Sequence, residues 1–370
     1  MLCMEMPLKE KKVMNNQWRI VAHVDMDHFF TAVEEREHPN WKGEPVVVGA
    51  DPKEGAGRGV VSTCNYKARE FGVRSGMPIS KAWELCPQAI YQPVNHKLYR
   101  KVSRRIMTLL RGYPQKFEQW GIDEAFLDLT SKVEGYQEAE ELARHIKHQI
   151  LKREDLTCSI GIAPNKLVAK IASDYQKPDG LTVVRKERVE QFLAPLQVRK
   201  LLWVGRKTEQ SLNRLGIETI GDLADYDPIV LRDKFGAMGT QLYLMAHGVD
   251  HSEVEEKEES KSISREMTFK EDTADHRLIL HSLDALSEEV MEKVAYQDVF
   301  FKTVTVKVRY ENFETHTHGR TQTFATDRLQ DLQKTGRALI QDFLKSDRKI
   351  RLIGIKVSNF ISADNQKRLI

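Results

Sequence analysis

Cysteine is scarce in this chain: four in 370 residues, at Cys3, Cys64, Cys86 and Cys158, with no Cys-x-x-Cys spacing. That scatter excludes a zinc ribbon or a disulfide framework and fits a reducing compartment, so a cytoplasmic location is expected. Long apolar runs are missing too. None approaches the ~20 residues a membrane span needs, so no membrane is expected among the partners. Met1–Trp18 carries Lys9, Lys11 and Lys12 but no apolar h-region, and reads as a flexible extension rather than a secretory signal. An excess of one charge is also absent. The 57 Lys and Arg against 54 Asp and Glu leave +3, so partners must be read from where charges sit, not from their sum.

What is present is a soluble globular composition, 30% charged and 41% hydrophobic, in a chain long enough for two to four domains. Two apolar runs end in carboxylates. One is Ile20-Val21-Ala22-His23-Val24-Asp25-Met26-Asp27, and the other is Ile122-Asp123-Glu124-Ala125-Phe126-Leu127-Asp128. Adjacent buried carboxylates raise each other's pKa, and a sequence keeps them where something positive sits. Hard oxygens favour Mg²⁺, Mn²⁺ or Ca²⁺ over zinc. The two runs are therefore expected to lie side by side as strands whose acids share metal ions. The plainer reading of a single Asp-Glu pair is a solvated turn or helix start. Its repetition at two strand-like apolar edges favours the metal.

Taken in order, strands are expected at Ile20–Asp25, Pro45–Gly49, Val60–Thr63, Cys158–Ile162 and Leu181–Val184, with helices at His28–Glu35, Asn95–Tyr113, Gln137–Leu151 and Asn165–Ser173. In Asn95–Tyr113, Val102, Ile106, Leu109 and Leu110 would face inward, and Arg104, Arg105 and Arg111 the solvent. Tyr66 and Arg69, three apart, share a helix face and offer a triphosphate clamp; an ordinary surface helix is the plainer alternative. From Pro195 to Gly248 short helices alternate with glycine turns, a pattern suited to gripping a phosphate backbone, or simply a helical bundle. Glu253–Ser260 reads as a solvated linker. Beyond it the order β-α-β-β-α-β gives a ferredoxin-like domain. Alternation in Thr303–Arg309 puts Val304, Val306 and Val308 on one face and Thr303, Thr305, Lys307 and Arg309 on the other. Arg320, Arg348, Lys349 and Arg351 would make an open sheet face basic and suited to a phosphate backbone; a simply wet sheet is the alternative.

Five stretches, in this order and spacing, resemble Y-family translesion DNA polymerases of the DinB type (DNA polymerase IV). They are Val24–Glu34, Asn65–Val73, Ile122–Asp128, Ser159–Lys166 and Lys177–Gly180. The resemblance implies an α+β multidomain right hand with palm, small fingers, helix-hairpin-helix thumb and ferredoxin-like little finger. The divisions are 1–18 extension, 19–28 with 94–185 palm, 29–93 fingers, 186–252 thumb, 253–261 linker, 262–361 little finger and 362–370 tail. It implies a low-fidelity, template-directed polymerase acting on primer–template DNA and dNTP, as a monomer. Asp25, Asp123 and Glu124 would bind two Mg²⁺, with the main-chain carbonyl of Met26. Phe29, Phe30, Tyr66, Arg69 and Lys177 would line the nucleotide. Of these, Phe30 would be the steric gate against a ribose 2′-hydroxyl, and Tyr66, Arg69 and Lys177 would hold the triphosphate.

The chain departs from the family pattern in three places. Gly121 stands where Ser usually precedes Ile-Asp-Glu. Trp203-Val204-Gly205 replaces Gly-x-Gly in the first thumb hairpin, and Trp takes a positive φ less cheaply than Gly; Phe235–Gly239 keeps the pattern. Gln366 and Leu369 match the start of a sliding-clamp-binding peptide, without its aromatic end. A non-catalytic DNA-binding scaffold of the same fold is the competing reading, but a scaffold has no use for three acids at apolar strands. An unrelated two-metal nucleotidyl transferase shares the acids without accounting for the later domains.

Overall fold

The computed structural model describes residues 19–256, 260–346 and 348–362; the N-terminal extension and the tail lie outside them. The chain divides into two units, Met1–Lys257 and Glu258–Ile370. The first is organised on a five-stranded sheet of order β5-β6-β1-β7-β8, built from β1 (Val21–Met26), β5 (Lys116–Gln119), β6 (Glu124–Asp128), β7 (Cys158–Ala163) and β8 (Leu181–Val183). All six residues of β1 are buried, because helices cover both faces of the sheet. The acid-tipped strands pair antiparallel, with Asp25 opposite Glu124 and His23 opposite Phe126.

One face carries α4 (His96–Leu110) and α5 (Tyr136–Glu154). Val102, Ile106 and Leu110 point inward as their spacing requires, and Ala139, Ile146 and Ile150 meet them from α5. Arg105 lies on the exposed side as expected, and from there it pairs with a buried acid. Its Nε and Nη2 donate to the two oxygens of Glu154, at 2.7 and 2.6 Å, and Arg36 Nη1 donates to Glu154 from α1 (Phe29–Glu37) at 3.0 Å. Glu154 is 7% exposed, and a carboxylate buried that far requires paired cations. The other face carries α6 (Lys166–Tyr175). It approaches closely because Gly161 has no side chain: a Cβ there would lie 2.1 Å from Ala169 O.

The insert between β1 and α4 has its own three-stranded sheet, β3-β2-β4, from β2 (Val46–Gly49), β3 (Val61–Cys64) and β4 (Ile90–Pro93), with α2 (Tyr66–Glu70) and α3 (Ile79–Leu85). The sequence reading lacks α3 and β4. Each is too short to show a period, and β4 pairs in parallel with β2, a partner over forty residues away. After β8 come α7 (Val189–Leu193), α8 (Arg206–Asn213), α9 (Ile220–Ala224), α10 (Pro228–Phe235) and α11 (Ala237–Ala246). The α10–α11 hairpin turns on Gly236 at φ +62°. The turn before α8 uses Trp203, which does adopt a positive φ, +69°.

The acidic run after this bundle is docked, not solvated, at its start. Val254 is fully buried, Glu253 accepts from Lys116 Nζ at 2.6 Å, and Glu256 pairs with Arg111. One apolar side chain among charges found a pocket that charge counting passes over.

The second unit follows the expected order: β9 (Ser262–Thr273), α12 (His276–Gln297), β10 (Val299–Tyr310), β11 (Thr315–Thr326), α13 (Leu329–Leu344) and β12 (Ile350–Ser362), in a sheet β11-β10-β12-β9. Val304, Val306 and Val308 are fully buried against the helices. The basic side chains of the open face are partly spoken for within the unit. Lys307 donates to both oxygens of Glu266 at 2.9 Å, and Arg348 to Glu314 at 2.8 Å.

Candidate active site

The site forms where β1 and β6 end together. Antiparallel pairing sets Asp25 beside Glu124, and Met26 N donates to Asp123 O at 3.0 Å, so the two runs converge as their sequence suggests. Ligand atoms of Asp25, Glu124 and His23 all lie within 4.8 Å of one another. Asp123 feels the other two carboxylates. Burial, then the charges of Asp25 and Glu124, push the Asp123 carboxyl up to about 6. Burial also raises Asp25 against the pull of Lys177. Burial acts the same way on Glu124, but His23 and Lys170 outweigh it and hold this carboxyl at about 2.

Two lysines neutralise the cluster from its rim. Lys177 Nζ lies 2.6 Å from Asp25 Oδ1 and 2.8 Å from Asp174 Oδ1. Lys170 Nζ lies 2.5 Å from Glu124 Oε2 and 4.0 Å from Asp25 Oδ2. The donor set suits a hard divalent ion: ligand oxygens of Asp25 and Glu124 converge, and Asp123, whose carboxyl burial and these two charges raise to about 6, adjoins them. Gly121 widens this corner. A Cβ there would stand 3.1 Å from Glu124 Cγ, 3.3 Å from Glu124 Oε1 and 3.4 Å from Asp123 Oδ1. The departure from Ser leaves the acids in place.

Asp27, at the same strand end, does not join them. It is 1% exposed and accepts from Thr157 Oγ1, Ser159 Oγ and Asp179 N at 2.7–2.8 Å, which ties the Lys177–Gly180 turn to the sheet.

Of the residues expected to line the nucleotide, Tyr66 and Arg69 share one face of α2, with the guanidinium 4.6 Å from the ring centroid. The Tyr66 hydroxyl is buried without a hydrogen-bond partner among the described residues. Asp27, Asp25 and Lys177 all act on its ionisation, so it faces the acidic end of the sheet. Phe30 is half-buried and stacks on Tyr99, with centroids 4.3 Å apart and planes 14° from parallel. Phe29 is different: at 2% exposure its side chain belongs to the core, and only its main chain is available to a ligand. Sequence reasoning missed His23, Lys170 and Ser173. Lys170 and Ser173 sit on α6, whose apolar period hides the polar edge turned toward Glu124.

Comparisons with known proteins agree along the whole chain. Residues 24–174 match the impB/mucB/samB family, 260–369 its C-terminal domain, and 201–250 the thumb domain of DNA polymerase-iota. DNA polymerase IV 2 of Methanosarcina mazei is 47% identical over 365 residues, 99% of each chain. A solved Y-family DNA polymerase chimera of Dbh and Dpo4 is 37% identical with a TM-score of 0.85, covering 93% of this chain and 99% of that one. An insertion ternary complex of Dbh DNA polymerase is 36% identical with a TM-score of 0.65 over the same shares.

Proposed function

We infer how a chain that belongs to the impB/mucB/samB family, and is thereby a Y-family DNA-directed DNA polymerase of the translesion type, divides its reaction among its residues. Asp25, Asp123 and Glu124 would hold two Mg²⁺, with the Met26 carbonyl. The chemistry these ions supply when bound is acidification of the primer 3′-hydroxyl and neutralisation of the departing pyrophosphate. The protein's own part is placement. Tyr66 and Arg69 from α2 and Lys177 from the turn before β8 would clamp the triphosphate and offset the charge that gathers on it. Lys177, held on Asp25 at 2.6 Å, would move to the phosphates as they enter. Phe30, backed by Tyr99, would lie under the sugar and exclude a 2′-hydroxyl by contact. A small fingers insert would enclose the new base pair loosely, which admits damaged templates and lowers fidelity.

The observation that carries this reading is the cross-strand pairing of Asp25 with Glu124, with Asp123 bonded alongside. A scaffold would gain nothing from three acids gathered at the ends of buried strands. Primer–template DNA and dNTP are the substrates. The proposal extends to a monomeric cytoplasmic enzyme whose Gln366–Leu369 segment meets a sliding clamp. Among the described residues no helix is long and apolar enough to cross a membrane. The test is Asp123→Ala in primer extension with Mg²⁺. Extension should vanish while primer–template binding stays within a few-fold of wild type; retained extension would remove the assignment.

A further inference from the structure

Glu124 has an inner neighbour that none of these roles uses. His23 lies two residues before Asp25 on β1, and its side chain is fully buried. Its Nε2 comes within 3.2 Å of Glu124 Oε2 and has no other hydrogen-bond partner among the described residues. The ring is held in place, because Nδ1 lies 2.8 Å from Ser173 Oγ and the Phe126 ring packs against it, tilted by 51° with centroids 4.5 Å apart.

The geometry also distinguishes the two oxygens of Glu124. Oε2 has His23 at 3.2 Å and Lys170 at 2.5 Å. Oε1 faces the gap left by the missing side chain of Gly121, where a Cβ would come within 3.3 Å. One oxygen is braced and the other is left clear. A metal-binding carboxylate is an acceptor only, so the nitrogen facing it must carry the proton. Nδ1 is then the acceptor, and the single hydroxyl proton of Ser173 points to it rather than to Lys170 O, its other neighbour at 2.8 Å.

We propose that His23 is a positioning residue for the metal site: its Nε2–H braces Glu124 Oε2 from inside the sheet, Ser173 fixes the tautomer that makes this possible, and Glu124 Oε1 is the oxygen presented to the ion. The inference rests on Glu124 being a metal ligand. Partners of this kind typically change metal affinity by roughly 10–100-fold when removed. Direct ligation by His23 is the rival, and a hard ion with oxygens at hand disfavours it.

The test uses the full chain with primer–template DNA ending in a dideoxynucleotide and an incoming dNTP, with Mn²⁺ as the probe read by electron paramagnetic resonance. His23→Phe should fold, since it keeps a ring against Phe126 and leaves Ser173 its bond to Lys170 O. It should weaken Mn²⁺ binding, and raise half-saturating Mg²⁺ in extension, by roughly 10–100-fold. His23→Gln, whose amide nitrogen can take the place of Nε2, should restore most of the loss. Ser173→Ala should give a smaller loss in the same direction. Unchanged Mn²⁺ affinity in His23→Phe, or a Gln variant no better than Phe, overturns the proposal. So does nitrogen hyperfine coupling from His23 on bound Mn²⁺, which would make it a ligand. If His23→Phe fails to fold, nitrogen-15 shifts of the wild-type ring decide: protonation at Nε2 supports the brace and protonation at Nδ1 refutes it. Glu124→Gln separates the underlying reading. If it too leaves Mn²⁺ binding intact, Glu124 is not a ligand; if it abolishes binding while His23→Phe does not, only the brace fails.

Discussion

The indole of Trp203 lies 6.3 Å from that of Trp120, centroid to centroid and tilted by 58°, so the first hairpin of the thumb touches the residue that opens the acidic turn. Trp120 in turn meets Phe126 edge-on at 5.5 Å. Trp203 makes this contact from a left-handed backbone, at φ +69°, with 67% of its surface exposed. A non-glycine residue there costs about 1–2 kcal/mol. Substitutions should therefore separate strain from contact. Trp203→Gly should be as stable as wild type or more so, whereas Trp203→Ala should be less stable than both, because it keeps the strain and loses the ring contact. Urea denaturation measures the order; Ala above Gly would mean the backbone is not strained.

Gly121 makes a second test. Any Cβ there crowds both Glu124 and Asp123. Gly121→Ala should raise half-saturating Mg²⁺ in primer extension several-fold, and leave the melting temperature of the protein almost unchanged, because the crowded atoms belong to partly exposed side chains that can shift. An unaltered Mg²⁺ requirement would show that Glu124 shifts without cost.

Asp123 gives a pH dependence. Its folded carboxyl sits at about 6 against an ordinary 3.8, so the folded protein holds this proton more tightly than the unfolded chain. The stabilising contribution is full below 3.8 and disappears as pH rises through about 6. Without metal, Asp123→Asn should melt higher than wild type well above pH 6 and alike near pH 4. Mg²⁺ should stabilise wild type more as pH rises, and the Asn variant less at every pH. Scanning calorimetry with and without Mg²⁺ checks both; equal melting well above pH 6 would count against the raised carboxyl.

Glu154 has the opposite sign. Burial raises its carboxyl, but Arg105 and Arg36 more than offset that and hold it below its ordinary 4.5. Its contribution is present above 4.5 and is lost as pH falls through the lower folded value. Glu154→Ala should cost about 2–3 kcal/mol, at the low side for a broken buried pair because Arg105 is half-exposed. It should leave the Mg²⁺ requirement alone, since the cluster joins α1, α4 and α5 away from the acids. A shifted Mg²⁺ requirement would mean the helices set the strand ends.

Much of this was legible beforehand, for physical reasons. The strand pair β1–β6 showed itself because carboxylates at the ends of apolar runs have few other uses. The second unit showed itself because Val304, Val306 and Val308 alternate with polar residues over a long strand. What stayed hidden depends on tertiary partners. Lys170 and Ser173 stood unremarked in a helix that Gly161 lets down onto β7. His23 read as one more residue of a buried strand. Val254 was lost among glutamates, and propensity argued against the backbone that Trp203 adopts.

Phe30 offers the most direct test of the proposed nucleotide face. The ring lies flat on Tyr99 at 4.3 Å, and Tyr99 is fully buried with its hydroxyl 2.6 Å from Glu34 Oε1. A gate works by refusing to move, and this one is backed by a residue that has nowhere to go. Phe30→Ala should raise ribonucleotide insertion relative to dNTP by on the order of a hundredfold, read as the ratio of kcat/KM values in single-nucleotide insertion. Tyr99→Leu keeps Phe30 but softens its support, and should give a smaller rise in the same ratio with dNTP insertion little changed. If Phe30→Ala leaves the ratio where it was, the ring does not meet the sugar, and the half-buried stack is only a piece of the core.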